Sequence, residues 1–143
     1  MTVVVDSSVA FKWFVADEPH AAEAAVLLQN ESALLAPDLL VAEVCNSAWR
    51  AVRLGRIPSR QADYIATAVP RLFAVLAEAA SLAARAVTIA VQLDHPVYDC
   101  LYLALAEARQ APLVTADDRL LAKLRGTQWD AAVLALADYR PQG

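Results

Sequence analysis

Cysteine, histidine and positive charge are all scarce in this 143-residue chain, and each shortage narrows what it can do. Its two cysteines, Cys45 and Cys100, sit in apolar stretches and read as buried reduced thiols rather than a disulfide. Its two histidines, His20 and His95, fall in expected loops and look incidental, so no histidine or cysteine nucleophile is called for. Lys and Arg number 12 against 16 Asp and Glu, a formal charge of −4. That balance argues against a protein that coats nucleic acid by bulk charge, although a local basic patch remains compatible with it. No apolar run reaches the roughly 18–20 residues of a membrane span. The nearest, Ala74–Leu93, is broken by Glu78, Arg85 and Gln92. No charged segment followed by an apolar one opens the chain as a secretion signal would. Without repeats or low-complexity linkers, residues 1–143 are expected to form one domain in the cytoplasm, with no membrane association.

What is present is an alternation of short β-branched runs and longer alanine-rich helical ones. Thr2–Val5 reads as a buried parallel strand, and Asp6-Ser7-Ser8 offers oxygens to cap a helix beginning near Val9, with Ala10–Val15 as its first turns. Further helices are expected over Ala21–Gln29, Leu39–Leu54 (closed by Gly55), Ser59–Ala68, Glu78–Leu93, Val97–Gln110 and Asp117–Arg125. Asp38 and Ser59 are the expected caps of the second and third of these. Strands are expected at Ala33–Ala36, Phe73–Leu76, Leu113–Thr115 and Ala132–Leu136. Such alternation implies βαβ crossovers and a largely parallel sheet, whose ligand site lies outside the carboxyl ends of its strands.

Four acidic residues, Asp6, Glu43, Asp99 and Asp117, stand in or beside apolar stretches where a lone carboxylate is costly to bury. Each has an ordinary explanation by itself: a helix cap for Asp6 and Asp117, a solvated helix stripe for Glu43, a dipole partner for Asp99. One fold places all four together, however, and converging carboxylates call for a hard divalent cation with oxygen ligands. Mg²⁺ or Mn²⁺ so held would activate a water and neutralise a phosphate under attack.

Val5-Asp6-Ser7-Ser8, Glu43-x-x-Asn46, Tyr98-Asp99-x-x-Tyr102-x-Ala104-Leu105-Ala106 and Val114-Thr115-Ala116-Asp117 occur in that order. With this set the chain resembles the PIN-domain nucleases over nearly its whole length, and among them the VapC ribonuclease toxins of type II toxin–antitoxin pairs. The resemblance implies a three-layer α/β/α fold around a parallel sheet of four to five strands. It also implies a Mg²⁺-dependent endoribonuclease, with Mn²⁺ substituting, that forms a homodimer and is inhibited by a cognate antitoxin. Asp6 and Asp99 would then be the principal metal ligands, Glu43 and Asp117 would complete the acidic pocket, and Ser7, Asn46 and Thr115 would support it. Asp118 is the alternative to Asp117.

Arg50, Arg53, Arg56 and Arg60 form a basic run expected to grip RNA phosphates (Arg50, Arg53 and Arg56 above all), to receive an acidic antitoxin segment, or to face solvent. Trp13, Trp49 and Trp129 read as core or interface, and Tyr98 and Tyr102 as packing. The apolar helix Glu78–Leu93 suggests a covered subunit interface. Two other readings stand beside the toxin: an RNA-processing nuclease of the same fold, and a binding module holding a metal without turnover. A phosphoacceptor or Asp-x-Asp phosphatase does not fit Asp6-Ser7-Ser8.

Overall fold

A computed structural model describes residues 1–141. Strands β1 (Thr2–Val5), β2 (Ala33–Pro37), β3 (Val75–Ala77), β4 (Leu113–Thr115) and β5 (Val133–Ala135) form a wholly parallel sheet in the order β3-β2-β1-β4-β5. The chain steps outward from β1 through β2 to β3, then returns to the other side of β1 for β4 and β5. The reversal falls between β1 and β4, and in an open α/β sheet that switch point is where a crevice opens beyond the strand ends.

Both faces are covered, as the unbroken valine run of β1 requires. Val3 and Val5 pack with α2 (Ala21–Asn30) and the C-terminal turn, in a cluster containing Ala24, Leu27, Leu136 and Tyr139. Val4 points the opposite way, into a larger cluster fed by α3 (Leu39–Arg53), α4 (Ser59–Ala68), α5 (Ala79–Leu93), α6 (Val97–Arg109) and α7 (Asp118–Leu124). The result is the three-layer α/β/α arrangement expected. Helix α6 lies deepest: every residue from Cys100 to Ala106 is buried, which is why its sequence is apolar all round. No helix among the described residues is long and apolar enough to cross a membrane.

Several local expectations are corrected. The first helix is a single turn, α1 (Ser7–Ala10), that tightens into a 3-10 turn over Phe11–Trp13. The third strand starts at Val75, not Phe73. Its register is set by Leu35, Ala36 and Pro37 of β2, and Phe73 instead packs beside Trp13 with ring centroids 5.8 Å apart. Pro58 takes the cap position of α4, leaving Ser59 as its first residue. Asp38 makes no side-chain cap on α3; its Oδ1 accepts the Ala79 amide at 3.1 Å and so caps α5, which lies 41 residues away. Gly55, at φ +73, closes α3 as expected. Replacing Asp38 by Ala is expected to cost about 1 kcal/mol, and by Asn much less, read from urea midpoints. An unchanged midpoint for the alanine variant would show that the cross-connection is idle.

Candidate active site

Asp6 follows the last residue of β1, and its carboxyl is enclosed, with 5% of the residue exposed. Oδ1 accepts from the Ser8 hydroxyl at 2.5 Å and from the Val9 amide at 3.3 Å. The hydroxyl of Thr115, which ends β4, donates to Oδ2. Both hydroxyls are themselves held: the Ala116 amide donates to Ser8 Oγ and the Asp117 amide to Thr115 Oγ1, each at 3.0 Å. The switch point is therefore stitched by one carboxyl group with a hydroxyl on each oxygen. Burial outweighs those bonds and pushes the Asp6 pKa up to about 6, with the charge of Asp99 adding to the rise.

Glu43 projects from α3, half-buried. Its Oε1 accepts from Tyr102 of α6 at 2.5 Å, and Ser7 lines the same groove. Its carboxyl too is raised, by burial first and by Asp99 as well. Asp99 occupies the first turn of α6, and its Oδ2 meets His95 Nε2 at 2.7 Å. Burial, then the charges of Glu43, Asp6 and Asp99, hold the Tyr102 phenol protonated far above its ordinary range, so it serves only as a donor. Burial and Asp99 likewise push the Cys100 thiol up to about 11, which rules out thiolate chemistry at neutral pH. Both cysteines are free.

Asp99 thus lies close enough to both Asp6 and Glu43 for its charge to raise each of them. Asp117 stands at the N-terminus of α7, where Oδ1 accepts from the Arg119 and Leu120 amides at 2.9 and 3.2 Å. Asp118 is exposed on the wall of a separate cavity shared with Lys12 and His20. Among the described residues, no three His, Cys, Asp or Glu side chains are grouped tightly enough to form a ready-made metal cage. The donor chemistry nonetheless suits a hard cation: carboxylate oxygens, hydroxyl support and mutual repulsion.

Ser7, Glu43, Asn46 and Arg50 line an open groove of about 340 Å³. Arg53 lies instead over the Trp49 ring, 5.6 Å from its centroid. Arg56 is paired with Asp17 at 3.1 Å and Glu18 at 2.8 Å, acids brought in from the loop before α2. Trp13 and Trp129 are packed as expected, but Trp49 is 54% exposed, contrary to a core role. Three site residues went unassigned in the sequence. Ser8, beside the chosen Ser7, is the one bonded to Asp6. Tyr102, read as packing, holds Glu43. His95, read as incidental, holds Asp99. Only its spacing, four residues before Asp99 on the approach to a helix, hinted at this.

A parallel sheet with one buried carboxylate at its switch point and two half-buried ones beside it defines an α/β protein with an acidic pocket. The PIN domain family model matches residues 3–126. Ribonuclease VapC1 of Mycobacterium tuberculosis is 41% identical over 97 residues, covering 66% of this chain and 71% of that protein. The crystal structure of PAE2754 from Pyrobaculum aerophilum superposes with a TM-score of 0.69 at 24% identity, over 96% of this chain and 90% of that one. A toxin–antitoxin complex from Klebsiella pneumoniae contains a chain of the same fold, with a TM-score of 0.69 at 16% identity, covering 94% and 97%. This chain belongs to the PIN domain family.

The raised carboxyl of Asp6 makes a stability prediction. Its pKa in the fold, about 6, exceeds the ordinary 3.8, so its contribution to stability is complete below about pH 3.8 and is lost as pH rises through 6. With metal chelated, the stability of Asp6→Asn relative to wild type should therefore rise by roughly 2–3 kcal/mol between pH 4 and pH 7.5, on top of a pH-independent cost for the hydroxyl bond that the amide nitrogen cannot accept. Denaturation midpoints across that range measure it; a stability difference that does not change with pH would show that the carboxylate is not strained.

Proposed function

We propose that this protein is a Mg²⁺-dependent endoribonuclease, the toxin component of a type II toxin–antitoxin pair. The observation that carries the reading is that Asp99 lies close enough beyond the strand ends to raise the carboxyls of both Asp6 and Glu43, each of which has a hydroxyl support. The 41% identity to a protein named Ribonuclease VapC1 supports the activity and the choice of RNA. The toxin role rests on that same likeness, and the Klebsiella complex shows the fold in a toxin–antitoxin setting. A cognate antitoxin and a second copy of the chain are the partners this reading implies.

In this scheme Asp6 and Asp99 hold the cation, and Glu43 and Asp117 complete the pocket. Mg²⁺, or Mn²⁺ in its place, supplies charge neutralisation at the phosphate and a water of lowered pKa. The protein supplies order. Ser8 and Thr115 fix both oxygens of Asp6; Tyr102 fixes Glu43, with Ser7 beside it. Asn46 and Arg50, in the groove beside Glu43, are placed to receive the phosphates of the strand being cut. Arg56, committed to Asp17 and Glu18, contributes less to RNA affinity than Arg50.

Purified protein should cleave single-stranded RNA with Mg²⁺ and stop when the metal is chelated. Asp6→Ala and Asp99→Ala should each fall more than about 100-fold, beyond what loss of a supporting contact to a ligand costs. Both should also relieve growth arrest on expression. Cleavage without growth arrest would point to RNA processing instead. Metal-independent cleavage, or mutants as active as wild type, would defeat the proposal.

A further inference from the structure

Each converging carboxylate has an orienting side-chain partner. Asp6 has Ser8 and Thr115, and Glu43 has Tyr102. For Asp99 that partner is His95, whose Nε2 lies 2.7 Å from Oδ2 with the imidazole side chain 15% exposed.

The backbone around His95 is built to hold the ring there. Helix α5 stops at Leu93, and Asp94 turns the chain through φ 52, ψ 55, a left-handed conformation in which glycine is the usual occupant. The His95 amide then donates to the Ala90 carbonyl at 3.1 Å, locking the turn to the end of α5. Pro96, at φ −54 and ψ 144, fixes the next step, and α6 begins at once, with Asp99 in its first turn. Helices α5 and α6 pack against each other along their length, so the ring and the carboxylate are presented from two ends held in fixed register. A left-handed non-glycine residue costs stability, which the two packed helices offset.

We propose that His95 is a positioning residue for the metal site. By donating from Nε2 to Oδ2, it fixes the rotamer of Asp99 and leaves Oδ1 as the oxygen available to a divalent cation. Carboxylates that bind metals are commonly held in this way, and loss of such a partner typically weakens metal affinity by 10–100-fold. The inference rests on the reading of Asp99 as a ligand given under Proposed function.

The test is Mn²⁺ binding to the full chain by titration calorimetry, for wild type, His95→Ala, His95→Gln, His95→Asn and Asp99→Ala. The glutamine amide nitrogen lies as many bonds from Cα as histidine Nε2 and can reach Oδ2, whereas asparagine is one carbon shorter. His95→Gln should bind Mn²⁺ within about threefold of wild type, while His95→Ala and His95→Asn should be weaker by about 10–100-fold. The Mn²⁺ concentration giving half-maximal RNA cleavage should shift by the same factor, with the rate at saturating Mn²⁺ nearly unchanged. If Asp99→Ala loses Mn²⁺ binding while His95→Ala keeps it, the positioning role fails alone. Equal weakening in the glutamine and asparagine variants would also overturn it, since reach would then not matter. If Asp99→Ala binds Mn²⁺ like wild type, the ligand reading beneath it falls too.

Discussion

The carboxyl group of Asp6 closes the seam between β1 and β4 and is the point on which the site is built. One oxygen takes Ser8 and the other Thr115, so the two strands flanking the switch point are held by the side chain that is also the deepest acid. Burial raises its pKa, and Asp99 raises it further. A buried carboxylate next to others of like charge is a poor choice for stability alone, and the fold tolerates it because valine-rich strands and the buried apolar stretch Cys100–Ala106 of α6 supply the core around it.

The same account explains the supporting groups. Tyr102 is buried yet donates to Glu43, which satisfies a phenol that would otherwise be costly inside the core. The Ser8 and Thr115 hydroxyls each accept from a backbone amide while donating to Asp6, so the loop after β4 is tied to the carboxyl it faces. Repulsion among the acids and orientation by neutral donors together make a pocket that is ordered and negative, the state a hard cation stabilises.

Much of this was legible in the chain. Buried parallel strands announce themselves as unbroken valine and leucine runs, and the acids that interrupt apolar stretches, Asp6, Glu43 and Asp99, mark the sheet edge. What stayed hidden depends on tertiary neighbours. Asp38 looks like the cap of the helix beside it but serves α5, because β2 and β3 end side by side. The Arg50–Arg56 run looks uniformly free until the fold delivers Asp17 and Glu18 to Arg56. His95 looks like loop punctuation until the left-handed turn at Asp94 aims it at Asp99. The sequence reveals which residues are out of place in an apolar segment; it does not reveal which distant segment answers them.

In the proposed reading, Asp6 and Asp99 share one divalent cation. Anomalous diffraction from crystals of the protein soaked in Mn²⁺ tests it most directly. The account predicts a manganese peak within ligand distance of carboxylate oxygens from both residues, on the side of the sheet that Glu43 faces. A peak confined to Asp118 and its separate cavity, or no peak at concentrations that support cleavage, would contradict it.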